Sequence, residues 1–397
     1  MRIGLFTDQF SAGISGQTTS VKMLYNYFKQ NGHGCYIFTS HSEKLVDKDP
    51  DIINLPGIPY PMKNLREYRF SPFIKRHIKV IEAYKLDIIH VHTEYYLAKI
   101  ALAAKAELGI PVVYTLHTMW EYYLDYLSKP INKVAHEQLW RIVSRAVFPK
   151  LARGADMIVV PSKKVYDRRR RYLMGDNMVV IPTGIDLERF NSATESKRTD
   201  DKIVFLYLGR LSPEKSIDVS LRAFADMKNR DNAKMVIVGD GPSMHDLKQL
   251  AEELSITEQT VFTGKVPRNE TVAYYKSADA FVSASKTESQ GLTFLEALAS
   301  HLPIYAIRDE VIEELVEDGK NGYLCDSAAE LTQRMEQLCE TKEPPSEFKP
   351  LDGYSVRDYA HKILELYKKV IHESKHKKPP RPKRQTRRRN KQFNGAS

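Results

Sequence analysis

Two glutamates, Glu288 and Glu296, bracket seven residues that include Gly291 and lead into an Ala-rich stretch. A helix that begins near Gly291 would leave its first backbone N–H groups available to a phosphate. Glu296, about a turn and a half into that helix, would accept hydrogen bonds from sugar hydroxyls. The spacing alone is common by chance, but its position after a predicted strand at 280–283 favours a ligand site.

Basic side chains follow another predicted strand, at 203–208. Arg210 and Lys215 lie in the segment Gly-Arg-Leu-Ser-Pro-Glu-Lys. A forked guanidinium and an ammonium keep their charge at neutral pH and reach different oxygens of a diphosphate. The alternative is a pair of solvated surface charges.

The loop after the first predicted strand is a weaker candidate for anion binding. Gly16 precedes a predicted helix there, so free backbone N–H groups could face an anion. An ordinary structural turn is the alternative. Because the loop is not G-x-G-x-x-G with an acidic residue downstream, it does not support dinucleotide binding.

Two patterns resemble metal sites without completing one. Asp49-Pro50-Asp51 is formally D-x-D but lies in a polar loop. His90 and His92 alternate along one strand face, yet no third ligand follows at a recognisable spacing, which favours a core or acceptor-site pair. We therefore expect no metal site.

Short β-branched runs alternate with longer amphipathic stretches, which is typical of parallel βαβ units. Because 397 residues exceed one ordinary core, we expect an α/β protein of two open-sheet domains. The predicted divisions are a first domain over 1–190, a linker over 191–201, a second domain over 202–350, a helix that packs back on the body over 351–374, and a disordered basic tail over 375–397. Strands are predicted at 2–7, 35–39, 87–92, 112–116, 157–160, 178–181, 203–208, 234–238, 260–262, 280–283 and 303–306.

The cysteine content and the lengths of the apolar runs indicate the cellular compartment. Three cysteines without a C-x-x-C pair suit a reducing environment. The apolar run before Thr7 is too short for a signal peptide, and no stretch approaches the roughly 20 apolar residues of a spanning helix. We expect a cytosolic protein that is not integral to a membrane.

The net charge of +10 is unevenly distributed. Residues 375–391 hold ten Lys or Arg and no acidic residue, so the remainder is near neutral. Within that remainder, residues 127–173 carry +9 and residues 61–85 carry +5, with apolar residues interleaved. Such segments can lie on an anionic membrane surface, although ordinary core packing explains the apolar residues equally well.

Taken together, the Gly16 loop, Leu116-His117-Thr118, the Arg210 and Lys215 loop, and Glu288 with Glu296 resemble retaining nucleotide-sugar glycosyltransferases of the GT-B fold, the family with the E-x7-E motif. The resemblance implies two Rossmann-like domains that face a central cleft. It extends to about residue 370.

The resemblance also implies roles for individual residues. Catalytic roles fall to His117, which would face the transferring sugar, and Glu288, which would hold it. The donor would further contact Gly16, Arg210 and Lys215 at the diphosphate, Glu296 at the ribose, Val266 beside Lys265 at the uracil, and the backbone of Gly291, Leu292 and Thr293 at the sugar. No metal ion or other cofactor is then required, because the donor is itself a substrate.

Four segments are similar to bacterial diacylglycerol glucosyltransferases: those around His92-Thr93-Glu94, His117 to Tyr123, Pro182 to Asp186, and Glu288 to Thr293. This similarity implies transfer of glucose from UDP-glucose to diacylglycerol by a peripheral enzyme on the cytoplasmic side of the cell membrane, held there by anionic lipids. Three alternatives stay open. They are another UDP-sugar or acceptor, an inactive nucleotide-sugar sensor, and a nucleic-acid-binding protein that uses the basic tail. No nucleic-acid partner is expected, because the body shows no base-reading module.

Overall fold

The computed structural model describes residues 1–8, 10, 16–40, 49–59, 69–117, 150–173, 177–192, 196–198 and 200–376. Two sheets of parallel strands, each flanked by helices, make up this part of the chain. The arrangement confirms the predicted α/β class.

The first sheet contains seven strands in the order β3-β2-β1-β6-β7-β8-β9, all parallel. A separate pair, β4 and β5, runs antiparallel. The strands are β1 (Arg2–Thr7), β2 (Gly34–Thr39), β3 (Ile52–Asn54), β4 (Ile58–Pro59), β5 (Arg69–Phe70), β6 (Ile88–Val91), β7 (Val112–Thr115), β8 (Met157–Val160) and β9 (Met178–Val180). The accompanying helices are α1 (Gly16–Gln30), α2 (Ile74–Ala83), α3 (Tyr96–Leu108), α4 (Lys163–Leu173) and α5 (Leu187–Ser192).

The second sheet contains six parallel strands in the order β12-β11-β10-β13-β14-β15. They are β10 (Ile203–Leu208), β11 (Ala233–Val238), β12 (Thr260–Gly264), β13 (Ala280–Ser283), β14 (Ile304–Ile307) and β15 (Gly322–Cys325). The helices are α6 (Ile217–Ala225), α7 (Met244–Glu253), α8 (Thr271–Tyr275), α9 (Leu292–Ala299), α10 (Ala328–Thr341) and α11 (Val356–His376).

Each sheet has one point where the strand order reverses, between β1 and β6 in the first and between β10 and β13 in the second. In open α/β sheets, ligands bind beyond the carboxyl ends of the strands at such points. The loops after β1, β6, β10 and β13 carry Gly16, His92, Lys215 and Glu288, so the topology brings the predicted site residues to these edges.

The last helix, α11, belongs to the core of the first domain although it follows the second. Its apolar side chains pack with those of α1 and β1. Tyr359 and Tyr367, both fully buried, reach Ser20 Oγ at 2.8 Å and His90 Nδ1 at 2.6 Å. The chain therefore crosses between the domains twice, and α11 ties its end to the first sheet.

The element boundaries differ from the sequence predictions in a few places. The three-residue β3, the two-residue β4 and β5, and the edge strand β15 have no predicted counterpart. Two-residue strands such as β4 and β5 are too short to show any periodicity. Helix α5 extends through Ser192, so Asn191 and Ser192 are helical rather than part of the linker. Within the described residues, no helix is both long and apolar enough to cross a membrane.

A buried carboxylate joins the ends of β1 and β6. Asp8 is fully buried, and its carboxylate accepts hydrogen bonds from Thr93 Oγ1 at 2.6 Å and from the backbone N–H of Leu97 at 3.2 Å. Burial raises the pKa of Asp8 from 3.8 to about 6, and the hydrogen bonds only partly oppose that shift. The folded protein therefore binds this proton more tightly than the unfolded chain.

This shift predicts that the stability of the Asp8→Asn variant relative to wild type increases with pH. Because the folded-state pKa is raised, the free energy of unfolding should fall as pH rises from about 4 to 6, by about 3 kcal/mol at most. Asn keeps the size and most of the hydrogen bonds but does not ionise. The stability of Asp8→Asn relative to wild type, measured by urea unfolding at several pH values, should rise between pH 4 and 6 and then level off. A difference that does not change with pH would contradict the shift.

Candidate functional site

The loop between β13 and α9 has the backbone that a ligand-binding helix start requires. Gly291 caps α9 in the left-handed region, with φ of 71°. A Cβ there would also lie 2.7 Å from the ring of Phe294, so only glycine fits without adjustment. The next residues, Leu292 and Thr293, begin the helix, and their N–H groups have no acceptor within it.

Glu288 and Lys215 form an ion pair at this loop. Lys215 Nζ donates to Glu288 Oε1 at 2.7 Å, which joins the loop after β13 to the turn after β10. Burial by itself would raise the pKa of Glu288, but the charge and hydrogen bond of Lys215, together with Ser285 and Lys164, outweigh it and leave the pKa below its usual value. Glu288 is therefore ionised at neutral pH and held in place by a cation.

Glu296 has a different environment. Tyr275 Oη donates to Oε2 at 3.0 Å, and Arg268 Nη2 donates to Oε1 at 3.1 Å. Burial raises the pKa of Glu296, although Arg268, Tyr275 and Arg189 oppose the rise. Arg268 also donates from Nη1 to Thr19 Oγ1 at 2.7 Å. Because Thr19 lies on α1, this guanidinium spans the cleft between the domains.

The remaining predicted residues lie around the same loop. A Cβ added to Gly16 would lie 3.5 Å from Leu292 Cδ1, so the start of α1 faces the start of α9. Ser289 Oγ donates to the backbone oxygen of His117 at 3.4 Å. Arg210 is exposed, and no hydrogen bond or ion pair of its side chain is recorded among the described residues. It lies in the same turn after β10 as Lys215.

His117 is held by a second histidine. Its Nε2 lies 2.9 Å from His92 Nδ1, and the two rings are stacked. Burial lowers the pKa of His117 to about 4. The imidazole is therefore neutral near pH 7, which suits hydrogen bonding to a sugar rather than charge neutralisation.

A cavity of about 900 Å³ opens beside Glu296, between α1 and the loop after β12. Its lining includes Lys265 and Val266, which the sequence analysis placed at the uracil. It also includes Arg268 and Thr19, which were not predicted. Arg210, Lys215, Glu288 and His117 do not line it. The cavity therefore adjoins Lys265 and Val266, whereas Glu296 and the residues predicted to contact the diphosphate and the sugar do not line it.

Two contacts fasten the loop that carries Glu288 to the first domain. The side-chain amide of Gln290 accepts from the backbone N–H of Thr183 at 2.8 Å and donates to its oxygen at 2.6 Å. Lys164 Nζ, in α4, donates to the oxygen of Lys286 at 3.1 Å and pairs with Asp309. The side chains of Lys164 and Asp309 are 0% and 4% exposed, so this ion pair is shielded from water.

The patterns that resembled metal sites are occupied by protein contacts. Both ring nitrogens of His90 are hydrogen-bonded, to Tyr367 and Thr115. Asp49 accepts from Tyr25, and Asp51 pairs with Lys29. Across the described ranges, no three His, Cys, Asp or Glu residues form a group suited to a metal ion.

The structure thus brings Gly16, Lys215, His117 and Glu288 to the region around the start of α9, with Glu296 inside that helix and Arg210 nearby. The sequence analysis did not identify the residues that hold this arrangement, namely Thr19, Lys164, Thr183, Arg268, Tyr275 and Gln290. Only Arg268 had a local signal, because it lies two residues after Val266 and three after Lys265.

The buried ion pair predicts an asymmetric mutational effect. Lys164→Met should leave the Asp309 carboxylate buried and unpaired, which costs about 3 to 5 kcal/mol. Adding Asp309→Asn removes that charge and should recover much of the loss. Lys163→Met is the matched control, because its neighbouring pair with Asp167 is exposed and screened by solvent. Urea unfolding of the four proteins measures the effect, and equal losses in the single and double variants would refute it.

Family models match both halves of the chain. Residues 14–189 match the model described as Glycosyltransferase Family 4, and residues 188–350 match Glycosyl transferases group 1. A protein of Acholeplasma laidlawii named alpha-monoglucosyldiacylglycerol synthase is 32% identical over 376 residues, 91% of this chain and 94% of its own. A protein of the same name from Streptococcus pneumoniae is 36% identical over 342 residues, 82% of this chain and 75% of its own.

Solved structures agree on the fold. Anabaena Alr3699/HepE in complex with UDP and glucose superposes with a TM-score of 0.70 at 17% identity, covering 93% of this chain and all of the other. Sucrose-phosphate synthase from Thermosynechococcus elongatus superposes with a TM-score of 0.74 at 17% identity, covering 94% and 99%. With two facing α/β domains, an E-x7-E loop at their junction and these matches, the chain belongs to glycosyltransferase family 4 and has the GT-B fold.

Proposed function

We propose that this enzyme transfers glucose from UDP-glucose to 1,2-diacylglycerol with retention, forming alpha-monoglucosyldiacylglycerol. The observation that carries the proposal is the similarity, over most of the chain, to two proteins named alpha-monoglucosyldiacylglycerol synthase. The site is compatible with it, since cationic, acidic and helix-start groups for a sugar diphosphate meet at one loop.

The donor diphosphate lies between the start of α9 and the side chains of Arg210 and Lys215. An ammonium has three donors, so Lys215 can hold Glu288 and a phosphate oxygen together. The N–H groups of Leu292 and Thr293 add the positive end of a helix dipole. These groups neutralise the leaving phosphate without a metal ion, so the proposed reaction is independent of metal.

The nucleoside occupies the cavity beside Glu296. The uracil lies at Lys265 and Val266, and the ribose hydroxyls donate to the Glu296 carboxylate. The glucose then lies at Glu288, opposite His117. Retention follows because the acceptor hydroxyl attacks the sugar from the same face that the leaving group departs from. The departing phosphate takes the acceptor proton. This scheme needs no carboxylate nucleophile, so Glu288 orients the sugar.

The acceptor is a membrane lipid, and the first domain carries a surface suited to reaching it. Phe73 and Ile58 are 64% and 55% exposed, an unusual exposure for such large apolar side chains. Lys75, Arg76 and Lys79 project from α2 beside Phe73 and are exposed as well. Apolar side chains flanked by cations suit peripheral binding to an anionic surface, which we place on the cytoplasmic side. The predicted basic residues at 61–68, 127–149 and 377–397 lie outside the described residues.

The transfer reaction is tested by incubating the purified protein with several UDP-sugars and diacylglycerol in mixed micelles and identifying the product. We expect glucosyl transfer from UDP-glucose, with the alpha configuration.

Glu288→Ala and His117→Ala should each lower kcat by at least about 100-fold with an unchanged thermal midpoint, since each removes a group that holds the sugar. The exposed Glu253→Ala and His245→Ala are matched controls. Transfer to a soluble sugar alone, or wild-type turnover in either site variant, would overturn the assignment.

Membrane attachment is tested separately from turnover. Replacing Lys75, Arg76 and Lys79 by Gln should weaken binding to anionic vesicles about 100-fold, because each cation near the surface contributes about 1 kcal/mol. Replacing Lys362, Lys368 and Lys369 of α11 removes the same charge from another helix and should have little effect. Both triple variants should keep transfer activity in detergent. Equal weakening by the two, measured by vesicle sedimentation, would show that α2 is not the contact surface.

A further inference from the structure

Three histidine rings lie next to one another in a row that ends at His117. His90 and His92 lie at the end of β6, and His117 follows β7. Their ring centroids are 4.0 Å apart between His90 and His92, and 5.2 Å apart between His92 and His117. The middle ring, His92, is 1% exposed. The His117 imidazole, which is proposed to contact the sugar, therefore packs against the buried imidazole of His92.

The far end of the row is fixed by partners of its own. His90 Nδ1 lies 2.6 Å from Tyr367 Oη, and its Nε2 lies 2.6 Å from Thr115 Oγ1. Both nitrogens of His90 are thus engaged. Within the part of the chain that the structure describes, the His92 side chain makes one hydrogen bond, the 2.9 Å contact from its Nδ1 to Nε2 of His117.

All three rings are neutral near pH 7. Burial lowers the pKa of His90 to about 3 and that of His117 to about 4, and it lowers the pKa of His92 well below the usual value. A neutral imidazole has one N–H donor and one acceptor nitrogen. Between His92 and His117, one ring must therefore donate and the other accept.

The second nitrogen of His92 decides which ring donates. Among the residues that the structure describes, none is a hydrogen-bond partner of His92 Nε2, which is buried. If the proton were on Nε2, a donor would be buried with no acceptor, and orphaned N–H groups are rarer in proteins than orphaned acceptors. With the proton on Nδ1, the ring uses its only donor on His117.

We propose that His92 is a positioning residue: it donates from Nδ1 to Nε2 of His117 and so keeps the single proton of His117 on Nδ1. His117 then offers a fixed N–H donor to a donor-sugar hydroxyl, and its Nε2 is not available as a base. The assignment rests on the proposed function in giving His117 the sugar as its ligand. The tautomer and the hydrogen bond stand independently of that function.

The kinetic test compares two side chains of nearly equal shape. His92→Asn keeps an amide N–H donor where Nδ1 stands, and His92→Leu removes it while leaving a similar volume. We expect His92→Leu to lower kcat about tenfold, with KM for UDP-glucose changed less than about threefold, and His92→Asn to retain kcat within about threefold. In a His117→Ala background, the two substitutions should give the same residual rate. Equal losses from Asn and Leu in the wild-type background would overturn the positioning role.

A measurement on the unaltered protein covers the case in which His92→Leu does not fold. Long-range ¹H–¹⁵N spectra of protein labelled at histidine distinguish protonated from bare ring nitrogens, and His117→Ala assigns the signals. We expect Nδ1 protonated and Nε2 bare in His117. A proton on Nε2 of His117 would overturn the proposal even in an active enzyme. If wild type showed no glucosyl transfer, the spectrum would still test the hydrogen bond, so the two failures are distinguishable.

Discussion

The loop that carries Glu288 depends on the other domain for its position. Gln290 pairs its amide with both backbone groups of Thr183, and Lys164 reaches across to Asp309 and the oxygen of Lys286. These partners are buried, so breaking them without replacement would strand charged and polar groups away from water. The loop that carries Glu288 therefore keeps its position only when the domains are in contact, which would couple the orientation of the proposed donor to closure.

The two glutamates of the E-x7-E pattern have opposite electrostatic settings. Lys215 lowers the pKa of Glu288, while burial raises that of Glu296 despite Arg268 and Tyr275. A carboxylate kept charged beside a lysine can orient a polar sugar next to a phosphate without adding net charge to the site. A more deeply enclosed carboxylate suits uncharged ribose hydroxyls. One sequence pattern thus supplies two carboxylates in distinct environments, because different neighbours surround each end.

The sequence predicted those features that local patterns encode. Buried parallel strands appear as apolar runs, so the predicted α/β class was confirmed, and Gly291 marked the start of α9 because the left-handed region favours glycine. The supporting contacts have no such signal. Lys164 and Asp309 are 145 positions apart, and Gln290 and Thr183 are 107 apart. Each looks like an ordinary surface residue until the two domains meet, and a buried lysine runs against the usual exposure of that residue.

Arg268 links the two domains at the place where the donor is proposed to bind. Its guanidinium bridges Thr19 in the first domain and Glu296 in the second, where the ribose is proposed to bind. A carboxylate has about four lone-pair positions, so Glu296 can keep Arg268 and still accept ribose hydroxyls. The bridge therefore need not break when the nucleotide binds. Because Arg268 also lines the cavity assigned to the nucleoside, a bound donor would lie against a contact that already holds both domains, and its binding would reinforce closure.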